Sequence, residues 1–165
     1  MDVAGARHEP PLTVGRVRTL KHMSECADCH ATGRFGSCED LFHVLLALDH
    51  QRRAPWGRYH GVNVACYYLQ HPSTAPKNTA DGQWALVEAY RTGGLEAANQ
   101  IESHRVAENR RGRFTSDDAT RAPARAHAPS FTIEDLSVDG SFPAQGYEGR
   151  MNDWVASIEY ERPAL

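Results

Sequence analysis

The stretch from residue 22 to residue 38 constrains the fold most, because it combines three cysteines with very few apolar side chains. Cys26, Cys29 and Cys38 follow a Cys-x2-Cys-x8-Cys spacing, with glycines at positions 33 and 36. A segment this short and turn-rich needs a cross-link to fold, and two thiolates separated by two residues on a turn can both reach one tetrahedral Zn²⁺. The spacing therefore predicts a zinc knuckle over residues 22–37; the alternative is a set of unrelated buried thiols.

The composition excludes several classes of function. A chain of 165 residues fits one domain with a real core. Its net charge of −3 does not favour nucleic acid or a membrane surface as a partner. There is neither an apolar run near the roughly 20 residues of a membrane span nor the apolar core of a signal peptide. We therefore expect a cytoplasmic protein with thiols rather than disulfides, whose partner is an unidentified small molecule or protein.

Apolar periodicity predicts a mostly α fold, a small helical bundle behind the N-terminal Cys-rich knuckle. Ser37 is the expected N-cap of a first helix over residues 38–50. A second helix over about 55–71 should stop at Pro72. The remaining helices are predicted over about 80–91, 95–109 and 146–160, with a short turn or helical segment at 131–136.

Two stretches lack a core pattern. Residues 1–21 have no periodicity and are expected to form a flexible lead, and residues at about 110–130, rich in Arg, Ala, Pro, Ser and Asp, a mobile loop. The predicted organisation is thus a flexible lead at 1–21 and a single helical domain at 22–165.

Three cysteines need a fourth metal ligand, and the candidates are His22, His30, His60 and His71. The short connection over residues 51–55 favours antiparallel packing of the first two helices. His71 is then level with Cys38, whereas His60 lies about 16 Å lower along the helix axis. We therefore predict that His71 completes a Cys3His site for Zn²⁺.

His60 is the second histidine on the same stripe of the second helix, where Tyr67 also lies. Asp49 and His50 should come close to it, because they end the first helix. This convergence predicts a small cleft lined by His60, Tyr67 and Asp49, with an acid–base or second metal site. Gln70 could orient a histidine ring. The alternative is a buried His60 hydrogen-bonded to a neighbour.

A different ligand set is suggested by His22-x3-Cys26-x2-Cys29, the spacing of redox-sensitive zinc anti-sigma factors. In that interpretation His22 replaces His71, and oxidation of a cysteine pair would release the metal. The helices that follow do not resemble an anti-sigma domain.

The order of motifs resembles an uncharacterised bacterial family, a domain of unknown function. The matching segments are Cys26-Ala-Asp-Cys29, Cys38-Glu-Asp-Leu-Phe42-x2-Leu-Leu-Ala-Leu48 and His60-x3-Val64-x2-Tyr67-x-Leu-Gln-His71-Pro72. The resemblance covers residues 26–72 and extends weakly to 132–136 and Trp154. It departs at His30-Ala31, where the family usually has Gly-Ala, and at Ala65, where it often has Asp. The resemblance implies a metal-binding fold rather than a reaction.

Three functions remain open at this point. The first is a binding or regulatory module with a structural Cys3His zinc. The second is a metal-dependent or acid–base enzyme with a cleft at His60. The third is a thiol redox regulator.

Overall fold

The computed structural model describes residues 24–51, 53–77, 79–109 and 128–160. The predicted lead at 1–21, the ligand candidate His22 and residues 110–127 of the predicted loop lie outside the described residues. The division into a lead and a single domain stays a prediction.

The described chain is mostly helical, which confirms the predicted fold class. Its elements in chain order are α1 (Cys38–His50), a 3-10 turn (Trp56–Tyr59), α2 (His60–Gln70), α3 (Ala80–Asn109), α4 (Ile133–Leu136) and α5 (Tyr147–Tyr160). An antiparallel bridge joins Val138 to Ser141 ahead of α5. None of the described helices combines the length and the apolar character that a membrane crossing requires.

Helix α1 begins where the capping residues predict. The Ser37 hydroxyl accepts from the Asp40 backbone N–H at 3.0 Å, and the Asp40 carboxylate accepts from the Ser37 backbone N–H at 3.2 Å. This reciprocal pair satisfies two backbone donors at the helix start. Cys38 is therefore held as the first residue of α1, with its side chain buried.

Helix α2 is shorter than predicted at its start, because residues 56–59 form the tighter 3-10 turn. Its end is as predicted. Proline disfavours helical geometry in the residue before it, and His71 accordingly has φ −122° and ψ 64°. The His71 backbone N–H still donates to the Tyr67 carbonyl at 2.8 Å, so the histidine is fixed at the helix terminus.

Helix α3 contains both of the helices predicted over 80–91 and 95–109. They are separated at Gly94, whose φ of 68° and ψ of −166° are not helical and suit a residue without a Cβ atom. The second part of α3 brings Glu102 against Gly61 at the start of α2.

Helix α5 supplies the centre of the core. Its predicted apolar stripe of Tyr147, Met151, Trp154 and Ile158 is at most 1% exposed. The Trp154 indole N–H donates to the Gln70 side-chain oxygen at 2.8 Å, and the Gln70 amide donates to the Phe131 carbonyl at 2.7 Å. Gln70 therefore joins α2 to α5, rather than orienting a histidine ring as predicted.

Candidate functional site

Cys26, Cys29, Cys38 and His71 lie close together and could bind a metal. Their candidate ligand atoms all lie within 4.8 Å of one another, and the Cys29 and Cys38 sulfurs are 3.5 Å apart. Cys29 is fully buried, Cys38 and His71 are buried, and Cys26 is partly buried. Within the described chain this is the one such group of histidine, cysteine and acidic side chains.

The knuckle folds around its first two cysteines. The Cys26 backbone N–H donates to the Ala31 carbonyl, and the His30 backbone N–H donates to the Cys26 carbonyl, both at 2.9 Å. His30 has a left-handed φ of 59°, a conformation that glycine adopts without steric cost. The His30 Nδ1 atom lies 2.7 Å from the Glu25 carboxylate, so His30 is not one of the clustered ligands.

The two ring nitrogens of His71 have different surroundings, and one of them could bind a metal. Its Nδ1 atom donates to the Tyr67 carbonyl at 2.8 Å, whereas its buried Nε2 atom has no hydrogen-bond partner among the described residues. A metal-bound histidine commonly holds a carbonyl with one ring nitrogen and the metal with the other. Burial lowers the pKa of His71, but the Cys26 and Cys29 sulfurs raise it to about 9.

The close sulfurs shift the pKa values of Cys26 and Cys38 in opposite directions. The Cys29 and Cys38 thiols lower the pKa of Cys26, although burial opposes this effect. The Cys26 and Cys29 sulfurs, together with burial, raise the pKa of Cys38. Three thiolates cannot share so small a buried volume unless a cation neutralises them. The donor set therefore fits a bound metal ion better than it fits a group of free thiols.

Tyr67 packs beside the Cys26, Cys29, Cys38 and His71 cluster and is not among the residues that line the cavity at His60, where the sequence had placed it. Its ring is stacked between Phe42, at a centroid distance of 3.7 Å, and His71, at 4.2 Å. It is 3% exposed, and burial raises the pKa of its hydroxyl. Tyr67 and His60 share a helix face, but two helical turns, about 10 Å along the axis, separate them.

Two acidic residues that the sequence did not single out fix the knuckle to the rest of the fold. The Thr32 backbone N–H and hydroxyl both donate to the buried Glu134 carboxylate at 2.9 Å. The Ser73 hydroxyl donates to the buried Asp28 carboxylate. The signal for Glu134 was the Thr132–Leu136 segment, which belongs to the weaker part of the family resemblance.

His60 and Asp49 come together at the other end of α2, beside an open cavity of about 700 Å³. The side chain of His60 is 48% exposed and that of Asp49 is 1% exposed. The residues that line the cavity are Asp49, His50, Gly57, Arg58, His60, Asn99, Glu102, Ser103 and Val106.

A chain of hydrogen bonds leads from His60 into the core through Asp49 and Asn63. The His60 Nδ1 atom lies 3.2 Å from Asp49 Oδ2, and the Asn63 amide donates to Asp49 Oδ1 at 3.1 Å. The Tyr147 hydroxyl in turn donates to Asn63 Oδ1 at 2.8 Å. The Asp49 hydrogen bond raises the pKa of His60, opposed by burial, and the negative charges of Glu102 and Asp49 raise it further.

The second metal site that the sequence offered at His60 stays a prediction, because the described residues beside His60 do not form a group of three or more clustered ligand atoms. Asp49 already accepts from Asn63 and faces His60, so its oxygens orient the ring instead. A half-exposed imidazole beside a buried carboxylate has the groups that acid–base chemistry would need.

Comparison with known proteins identifies a family but no characterised relative. No curated protein and no solved structure matches the chain. A family model does match, and it covers residues 24–160, which include the knuckle, the cluster and the cleft. The chain therefore belongs to the family of unknown function DUF5946.

Proposed function

We propose that this protein binds one Zn²⁺ through Cys26, Cys29, Cys38 and His71, and that the metal is structural. The observation that carries the proposal is the convergence of four ligand atoms within 4.8 Å, one of them a buried imidazole nitrogen without a hydrogen-bond partner in the described chain. Three thiolates and one imidazole are a donor set that zinc favours in tetrahedral sites.

A four-ligand site leaves no open position for a substrate, so we assign the cluster a role in folding. When bound, the metal supplies a cross-link between the knuckle, the first residue of α1 and the residue that ends α2. The protein's own residues prepare this link: Ser37 caps the helix that carries Cys38, and the Tyr67 carbonyl orients the His71 ring. The knuckle has few apolar side chains of its own, so the link should stabilise it strongly.

On this proposal the protein is a zinc-stabilised binding or regulatory module. Its partner, a small molecule or a protein, would be recognised away from the metal. Four cysteines without a disulfide suit a reducing compartment, which supports a cytoplasmic location.

The second candidate function is an acid–base enzyme centred on His60. The observation that favours it is the pairing of the half-exposed His60 ring with the buried Asp49 carboxylate beside a cavity. A carboxylate that holds one ring nitrogen leaves the other available for proton transfer.

A thiol redox regulator is the remaining candidate. The 3.5 Å between the Cys29 and Cys38 sulfurs favours pairing on oxidation, but the burial of both residues shields them from oxidants. Zinc loss under mild peroxide, with a new disulfide at Cys29, would move this candidate ahead of the structural role.

Metal content of the purified chain tests the proposal. We expect about one zinc per chain in the wild type, and little in Cys29→Ser and His71→Ala. The matched controls are Cys66→Ala, a buried cysteine outside the cluster, and His43→Ala, an exposed histidine on α1. Full zinc in Cys29→Ser, or wild-type protein without any metal and with an unchanged melting curve after chelation, would contradict the proposal.

A further inference from the structure

The cleft beside His60 is a site separate from the metal cluster. It lies at the opposite end of α2, about 16 Å along the helix axis from His71. Its volume of about 700 Å³ lies within the range of small-molecule sites. Its chemistry depends on the side chains that face the His60 ring.

The hydrogen bond to Asp49 determines which ring nitrogen faces the cleft. A carboxylate accepts from Nδ1–H, so the neutral ring carries its lone pair on Nε2, at the far edge of the imidazole. Asp49 cannot rotate freely, because Asn63 donates to both of its oxygens, at 3.1 and 3.3 Å. The ring is therefore held as a base whose exposed edge is available to a ligand.

The charges that raise the pKa of His60 are those of two carboxylates. Glu102 packs over the first turn of α2, where a Cβ atom added to Gly61 would lie 2.9 Å from the Glu102 carboxyl carbon. The charges of Glu102 and Asp49 both raise the pKa of His60. The other titratable groups that line the cleft are His50, from α1, and Arg58, from the 3-10 turn.

A hydroxyl nucleophile is not indicated here. Ser103 lines the cleft, but no hydrogen bond joins its hydroxyl to His60 among the described residues. The cleft thus presents two acceptors, a neutral imidazole nitrogen and a carboxylate, to whatever binds. The lining has two carboxylates, of Asp49 and Glu102, against one guanidinium, of Arg58, and two acceptors in that setting suit a ligand that brings both positive charge and N–H donors.

We propose that this cleft binds a small molecule that carries a protonated primary amine, with His60 Nε2 and the Glu102 carboxylate as acceptors. The ammonium group donates one N–H to Nε2 and another to the Glu102 carboxylate, while the Asp49 carboxylate holds the ring in the tautomer that accepts at Nε2. This inference rests on the second candidate function, the acid–base site at His60, and is independent of the metal.

The probes are propylamine, propanol and propionate, which share a carbon chain and differ in charge. NMR of the His60 ring in the full, zinc-loaded chain reports binding and the pKa together. We expect propylamine to shift the ring resonances saturably and to lower the pKa of His60, because a bound cation competes with the ring proton. Binding should strengthen as pH rises through the pKa of His60.

Glu102→Gln should weaken propylamine binding about tenfold, because it replaces a charge-assisted hydrogen bond with a neutral one. Glu96→Gln, an exposed residue on the same helix, is the matched control and should bind as the wild type does. Propionate binding in place of propylamine, equal binding by Glu102→Gln, or the absence of any effect of propylamine on His60 would overturn the amine site.

The same titration tests the His60–Asp49 acid–base pair separately from the amine site. A raised pKa of His60 that returns to an ordinary value in Asp49→Asn would leave the acid–base pair intact even if the amine failed to bind. A pKa of His60 that is indifferent to Asp49→Asn would contradict the acid–base candidate itself, and with it the amine site.

Discussion

Helix α2 has a histidine at each end, His60 as its first residue and His71 directly after its last, and the two rings have different surroundings. At the C-terminal end, His71 is 2% exposed and its Nδ1 atom donates to a backbone carbonyl, which leaves a buried Nε2 atom directed to three sulfurs. At the N-terminal end, the side chain of His60 is 48% exposed and its Nδ1 atom faces a buried carboxylate. The chemistry open to each histidine therefore depends on the partner of one ring nitrogen and on the access to the other.

The largest expected contrast is in stability. His71→Ala should lose the metal and more than about 3 kcal/mol of unfolding free energy, because metal binding is coupled to folding of the knuckle. His60→Ala should cost only about 1 kcal/mol, because it removes one partly exposed hydrogen bond. Chemical denaturation with parallel zinc analysis measures both, and similar losses in the two variants would break the distinction between the two ends.

Asp49→Ala should lower the stability at the His60 end of α2 without changing the zinc content at the His71 end. It removes the acceptor of both His60 and Asn63 and leaves the buried Asn63 amide without that partner, at a cost of about 1–3 kcal/mol. Zinc content should stay at the wild-type level, because Asp49 contacts none of the four ligands in the hydrogen bonds described. Metal loss in a folded Asp49→Ala protein would show that the two ends of α2 are coupled.

The pH dependence of the unfolding free energy gives a further test of the contact between His60 and Asp49. Because Asp49 raises the pKa of His60, protonated His60 favours the folded state. This contribution is fully present below the unfolded pKa of about 6.5 and is lost as pH rises through the higher folded value. The stability difference between wild type and His60→Gln should therefore shrink as pH increases. His43→Gln is the control, and a difference that grows with pH would have the wrong sign.

The smallest expected effect concerns the knuckle. His30→Gly should stabilise the zinc-loaded protein by about 0.5 kcal/mol, because glycine relieves the left-handed φ of 59° but adds freedom to the unfolded chain. Ala27→Gly, in the same turn and without a positive φ, should destabilise it instead. Melting temperatures of the two variants test this pair, and destabilisation by His30→Gly would mean that the Glu25 contact outweighs the backbone strain.

Local signals were sufficient for the helices and for the cluster. Ser37 and Pro72 mark helix ends through chemistry that acts over a few residues, and the antiparallel geometry of α1 and α2 placed His71 beside Cys38. The direction of Tyr67 was predictable, and so was its separation of about 10 Å from His60 along the axis, but its stacking on Phe42 depends on how α1 packs against α2.

The remaining features depend on contacts between distant parts of the chain. Tyr147 lies 84 residues from the Asn63 amide that it supports, and Glu134 lies 102 residues from Thr32. Glu102 reaches Gly61 only because α3 packs along α2. No periodicity within one helix contains this information, so the support of the His60 cleft required the structure.

X-ray absorption at the zinc edge of the purified 165-residue chain is the direct test of the Cys3His ligand set, because it counts the metal's neighbours. We expect three sulfur neighbours at about 2.3 Å and one nitrogen neighbour at about 2.0 Å, with most of the zinc signal lost in His71→Ala and the wild-type spectrum kept in His60→Ala. Two sulfurs with two oxygen or nitrogen neighbours, or a wild-type spectrum in His71→Ala, would contradict the assignment of a closed Cys3His centre.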